Sequence, residues 1–185
     1  MRFYEIFLSL ILIIILLPLM ILILIIIKID SSGPVIHWSK RIGKTNKYFF
    51  MPKFRTMKIN TPDIATHLVT DPNKYLTKSG KFLRKISLDE TPQLYSILKG
   101  DMTFVGPRPA LHNQFDLIKL RDRHNINELK PGITGWAQIN GRDNISIEKK
   151  VEHDLFYFKN KNFFFDLKII LMTFISVFNK KSVSH

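Results

Sequence analysis

Between Glu5 and Lys28 the chain has 22 consecutive uncharged residues, most of them Ile and Leu. About 20 apolar residues carry a helix across a bilayer, so this run must be given to a membrane or buried outright. It is too long for the apolar stretch of a signal peptide, and no small-residue cleavage site follows it. Pro18 stands near its middle, where a helix would kink. From the residues alone the run reads as a spanning helix with a proline kink, which membranes tolerate. All but Arg2 of the 28 Lys and Arg residues lie at or beyond Lys28, which predicts a cytoplasmic location for everything after the run.

The remaining length suits one compact domain, so residues 1–29 are read as a membrane-inserted helix and 30–185 as a cytosolic domain. The net charge of +13 calls for an anionic partner: nucleic acid, anionic lipid or a phosphorylated substrate. There is no cysteine, which excludes disulfides and thiolate chemistry. The six histidines have no metal-ligand spacing, which argues against a zinc site.

Ser31-Ser32-Gly33-Pro34 breaks the chain. Val35-Ile36-His37-Trp38 and Tyr48-Phe49-Phe50, on either side of Gly43-Lys44-Thr45-Asn46, then predict a small β-hairpin within 31–58. Residues 59–80 read as an irregular connection. Leu111, Phe115 and Ile118 mark an amphipathic helix. Three glycines and a proline in Pro131–Arg142 predict a loop rather than a helix. A helix is expected over roughly 145–159. The last apolar run, Ile169 to Phe178, is too short to span, and lies either at the membrane interface or in a core.

The chemistry is concentrated in Ser87-Leu88-Asp89-Glu90-Thr91-Pro92-Gln93-Leu94, continuing to Gly100-Asp101 and Val105-Gly106-Pro107-Arg108-Pro109. A proline is tolerated in the first turn of a helix and damaging further in. This places Asp89 at the N-cap, Pro92 third in the helix, and an apolar face of Leu94, Ile97 and Leu98 ending at Gly100. Asp is a good N-cap, Glu in the first turn suits the helix dipole, and Ser87-x-x-Glu90 also fits a capping box. A helix mouth equally binds phosphate, so the same carboxylates could serve chemistry.

Three stretches together closely resemble the monotopic phosphoglycosyl transferases, the bacterial sugar transferases that load a first sugar phosphate onto a polyprenyl phosphate. They are Lys53-Phe54-Arg55-Thr56-Met57; Arg84 through Pro109; and Pro131-Gly132-Ile133-Thr134-Gly135-Trp136-Ala137-Gln138-Ile139-Asn140-Gly141-Arg142. The motifs occur in the family's order and the resemblance covers nearly the whole chain. It implies an α+β fold: a membrane-inserted, re-entrant helix broken at Pro18, and a compact cytosolic domain of interfacial helices with a small β-hairpin. Where the family often has Ser before that proline, this chain has Leu17. Where it usually has Gln and an acidic residue before Arg-x-Gly, here Arg41-Ile42-Gly43, this chain has Ser39 and Lys40.

The resemblance also implies roles. Asp89 would attack the phosphate nearest the sugar of a UDP-sugar, UMP would leave, and undecaprenyl phosphate would take the phosphosugar from Asp89. Glu90 would assist. Adjacent helical residues point about 100° apart, which makes the two carboxylates unequal. Lys53, Arg55, Arg84, Arg108, Gln138 and Arg142 would bind substrate or headgroups, with Asp154 holding Arg142 or serving structure alone. Mg²⁺ would be bound through Asp89 and the substrate phosphates. The expected partners are an N-acetylated UDP-sugar, undecaprenyl phosphate and membrane lipids, with no nucleic acid; a homo-oligomer is open. The expected place is the cytoplasmic face of a bacterial inner membrane, at the first membrane step of a glycoconjugate pathway. The rival reading is a membrane-tethered basic protein that binds nucleic acid or anionic lipid without catalysis.

Overall fold

The computed structural model describes residues 2–61, 71–141 and 145–178. By contacts the chain falls into two units, Met1–Ser39 with Phe50–Gly100, and Lys40–Phe49 with Asp101–His185. It is mixed α and β, as expected: helices predominate, and the sheets are two small two-stranded ones. The expected hairpin is present as β1 (Ile36–Ile42) and β2 (Tyr48–Phe54). Its connection carries Thr45 and Asn46 at positive φ, which suits turn residues such as Asn.

The first unit is built on α1 (Arg2–Asp30), whose helical winding continues through Pro18. A proline removes its own N–H bond and displaces one carbonyl, leaving the turns on either side intact. The C-terminal half of α1 is part of a core: Ile23 and Ile27 are buried with Phe54 and Leu83, and Leu19, Met20 and Leu88 pack around them. Helices α2 (Lys78–Lys85) and α3 (Leu94–Lys99) pack on it. Elsewhere Ile14, Ile15, Leu17, Ile21 and Leu22 keep half or more of their surface exposed. No soluble surface carries such a stripe without a partner, and α1 is long and apolar enough to cross a bilayer.

Two contacts tie the end of α1 to the rest of the unit. Asp30 Oδ2 accepts from the N–H and Oγ of Ser79, 2.9 and 2.7 Å away, at the first turn of α2. Arg55 donates to the Ser31 and Ser32 carbonyls, both at 2.8 Å, just past the end of α1.

The helix predicted to start at Asp89 is divided. Leu88–Gln93 winds as a 3-10 helix and only α3 is α-helical, ending at Gly100 as expected. Ser87 is the N-cap, in a left-handed conformation (φ 57, ψ 21) and without a side-chain capping bond, so the capping box does not form. Pro92 is the reason. In an α-helix its ring would strike the carbonyl of Leu88, four residues back. Three-residue winding avoids that clash, and Thr91 Oγ1 donates to the Leu88 carbonyl at 2.9 Å.

The second unit holds a parallel pair that the sequence did not suggest, β3 (Thr103–Val105) and β4 (Gly132–Thr134), in register Thr103 to Gly132 and Val105 to Thr134. Pro131–Arg142 is therefore not all loop: β4 is followed by the short helix α5 (Trp136–Ile139). Gly132 permits this pairing, since a Cβ there would lie 2.7 Å from the Val105 carbonyl carbon. Helix α4 (Phe115–Arg123) turns Leu117 inward and leaves Phe115 exposed, while Leu111 sits in a bridge to Arg41. The predicted stripe of Leu111, Phe115 and Ile118 is corrected accordingly: the helix begins four residues later than Leu111. Helices α6 (Ile147–Asn160) and α7 (Phe163–Phe178) follow. Ile169 of α7 is fully buried beside Val105 and Tyr157, whereas Phe164, Phe174 and Ile175 are exposed.

Candidate functional site

The left-handed Ser87 sets the local geometry. It turns the chain sharply after α2, at a cost of about 1–2 kcal/mol for a residue with a Cβ, and the 3-10 segment begins at once. Asp89 is its second residue and only 6% exposed. Burying a carboxylate is costly unless the fold compensates it, so this placement is maintained by the surrounding fold. Strained backbone beside a buried carboxylate is a recurrent property of reactive sites.

Glu90, the next residue, is held from β2. Its Oε1 lies 2.8 Å from Lys53 Nζ, an ion pair whose side chains are 12% and 15% exposed. Arg84, on α2, donates through Nε to Thr56 Oγ1 at 2.9 Å. Lys53 comes from β2 and Arg84 from α2, where it is bonded to Thr56 just after β2, so Lys53, Arg84, Asp89 and Glu90 belong to one unit. Arg55 is also in this unit, but it is buried and its terminal nitrogens hold Ser31 and Ser32. It lines a cavity of about 310 Å³ with Lys58, Lys74 and Tyr75.

The sequence reading gave Gln93 and Ser96 no role. Each is 1% exposed, and Gln93 Nε2 and Ser96 Oγ have no hydrogen-bond partner. They follow Asp89 by four and seven residues. Their i, i+3 spacing could have identified that pair, as two polar side chains interleaved with the apolar Leu94 and Ile97.

In the second unit, Arg108 lies between β3 and α4, with its carbonyl receiving Arg121 Nη1 at 2.9 Å. Gln138 Nε2 folds back toward the Ile133 carbonyl at 3.4 Å, while its Oε1 is buried without a partner. Asp154 is 1% exposed and holds Arg121, through Nε at 3.0 Å and Nη2 at 2.6 Å. Burial pushes its carboxyl above the ordinary range, and the Arg121 guanidinium opposes this. Asp154 therefore holds Arg121; Arg142, which it was also expected to hold unless it serves structure alone, lies outside the described residues. Lys40, where the family usually has an acidic residue, sits 4.3 Å over the Tyr48 ring.

Among the described residues no three His, Cys, Asp or Glu side chains gather as a metal cage. Asp89 with Glu90 does suit Mg²⁺, which takes one or two carboxylates and completes its shell with water and substrate phosphates.

The family model described as Bacterial sugar transferase matches residues 1–180. The chain is 47% identical over 149 residues to the uncharacterized sugar transferase EpsL of Bacillus subtilis (strain 168), covering 80% of this chain and 71% of that protein. It is 40% identical over 163 residues to the UDP-glucose:undecaprenyl-phosphate glucose-1-phosphate transferase of Escherichia coli (strain K12), covering 84% of this chain and 35% of that protein. Over 155 residues it is 37% identical to the UDP-N-acetylgalactosamine-undecaprenyl-phosphate N-acetylgalactosaminephosphotransferase of Aeromonas hydrophila, with 80% and 36% covered. The chain thus spans about a third of the length of the latter two relatives. The match along nearly all of its length shows that this chain belongs to the bacterial sugar transferase family.

Proposed function

We propose that this protein transfers a sugar-1-phosphate from a UDP-sugar to undecaprenyl phosphate, with Asp89 as nucleophile, at the cytoplasmic face of a bacterial membrane. The observation that carries the reading is the buried Asp89 on a strained turn, beside a Glu90 held by Lys53. The printed names of the Escherichia coli and Aeromonas hydrophila relatives support the substrate classes.

An Asp89 carboxylate oxygen attacks the phosphorus that bears the sugar. The bond from that phosphorus to the bridging oxygen breaks, and UMP departs with the electron pair. Undecaprenyl phosphate then attacks the same phosphorus through an oxygen and displaces Asp89, regenerating the carboxylate. Lys53 orients the Glu90 carboxylate through their 2.8 Å ion pair. Arg84, Arg108 and Arg142 offer guanidinium groups suited to phosphate oxygens, and Gln138 an amide for the nucleotide or sugar. Asp89, with Glu90 in support, would hold Mg²⁺, which would supply neutralisation of the pyrophosphate charge. The apolar α1 brings these groups to the lipid that carries the acceptor. The family resemblance favours an N-acetylated donor, but the relatives are named for both N-acetylated and plain sugars, so the test spans both.

The experiment is nucleotide release by the membrane-embedded protein given UDP-glucose, UDP-galactose, UDP-N-acetylglucosamine or UDP-N-acetylgalactosamine, with Mg²⁺ and undecaprenyl phosphate. UMP is expected from wild type and not from Asp89→Asn. A UDP product would mean that a different bond breaks, and full turnover by Asp89→Asn would remove Asp89 from the chemistry.

A further inference from the structure

Pro107-Arg108-Pro109-Ala110 has two residues without an N–H, so its carbonyls are the main means of fixing it. All four are held, each by a different donor of the same unit. Gly132 N–H reaches the Pro107 carbonyl at 3.0 Å, and Arg121 Nη1 the Arg108 carbonyl at 2.9 Å. Arg41 Nη1 reaches the Pro109 carbonyl at 3.1 Å, and Ile42 N–H the Ala110 carbonyl at 3.0 Å. A cavity of about 30 Å³ lies against Pro107, Pro109, Ala110 and Arg121. Pro107, Pro109 and Ala110 are themselves buried, so packing and these hydrogen bonds together fix the segment's position.

Arg121 is itself braced. Its Nε and Nη2 both donate to Asp154 Oδ2, and Asp154 is almost completely buried. A planar guanidinium tied along one edge to a carboxylate has little rotational freedom left for its remaining nitrogen. Buried ion pairs of this kind are often neutral or unfavourable for stability compared with apolar packing. Orientation is a use for the pair that stability is not.

We propose that Arg121, braced by Asp154, is a positioning residue that fixes the backbone from which the Arg108 guanidinium extends, and so sets the phosphate-binding geometry of Arg108. This rests on the reading of Arg108 as a phosphate ligand in the proposed transfer. Arg121 touches no substrate and acts through Arg108. A lysine in its place keeps the charge but cannot span Asp154 and the Arg108 carbonyl with a fixed fork.

The test uses the full chain in nanodiscs, as wild type, Arg121→Lys, Arg108→Ala and the double variant. UMP release gives kcat and KM, thermal unfolding gives stability, and amide hydrogen exchange is followed at Arg108, Ala110 and Leu111. Arg121→Lys is expected to lower kcat/KM about 10-fold with little change in melting temperature and faster exchange at Arg108 and Ala110. In the Arg108→Ala background the same change should cost less than about 2-fold, because its route is already removed. Equal losses in both backgrounds, or unchanged exchange in the segment, would overturn the proposal. If Arg121→Lys does not fold, the isosteric Asp154→Asn puts the same question to the other half of the brace. Absence of UMP from wild type with every donor would sink the proposed function instead, and the exchange result would still decide whether the brace holds the segment.

Discussion

Gly80→Ala tests how closely α2 lies on the chain that follows β2. Gly80 is in the first turn of α2, where its N–H donates to Thr77 Oγ1 at 3.0 Å. A Cβ there would strike the Thr56 carbonyl oxygen and lie 2.7 Å from the carbonyl and α carbons of Thr56. An unstrained carbon contact is about 3.5 Å, so the two backbones must part by about 1 Å. That shift weakens the bond from Thr77 N–H to the Thr56 carbonyl (3.0 Å) and the one from Arg84 Nε to Thr56 Oγ1 (2.9 Å). Overpacking costs about 1–3 kcal/mol and two weakened bonds about 1 kcal/mol each, while the helix preference of Ala offsets about 1 kcal/mol. The balance is a loss of about 2–4 kcal/mol, which for a chain of this length lowers the melting temperature by about 5–15 °C. Tryptophan fluorescence melts of the purified protein measure it, and UMP release below the transition should fall too, because α2 carries Arg84 and leads directly into Ser87 and Asp89. An alanine variant that melts at or above the wild-type temperature would refute the contact.

Two further outcomes are expected. Lys53→Met removes a charge-assisted hydrogen bond of about 1.5–3 kcal/mol from Glu90 and should lower kcat/KM by about 10- to 100-fold in UMP release; undiminished turnover would separate Glu90 orientation from catalysis. Asp154 has a carboxyl raised above its ordinary value of 3.8 by burial, so the folded state takes up its proton first as pH falls. Wild type should therefore gain stability relative to Asp154→Asn as pH drops through the raised value toward 3.8. The difference should be flat at neutral pH, and melts of both proteins across the acid range would show the opposite slope if the sign is wrong.

Elements with a strong local signal were legible in the sequence. The run after Glu5, the hairpin around Gly43–Asn46 and the helix near 145–159 follow from hydropathy, turn chemistry and period. The start at Asp89 did not, because the rule that a proline belongs in the first helical turn holds for α-helices, and the chain resolves the conflict by winding Leu88–Gln93 more tightly. The parallel β3–β4 pair was hidden because each strand is only three residues long and its partner lies far along the chain. Candidate site residues carried by motif, such as Asp89, Glu90 and Lys53, could be named in advance. Arg121 could not, since in sequence it is one basic residue among many, and only its distance to Asp154 and the Arg108 carbonyl distinguishes it.

Helix α1 is also part of the first unit's interior, through Ile23 and Ile27, and its last residue, Asp30, caps α2. Removing the C-terminal turns of this helix would strip Phe54, Leu83 and Leu88 of one wall of their core and α2 of the carboxylate that receives the Ser79 N–H. The most apolar segment of the chain is therefore also one that the first unit cannot lose: a truncation after α1 is expected to unfold the unit rather than to release a separate soluble form of it.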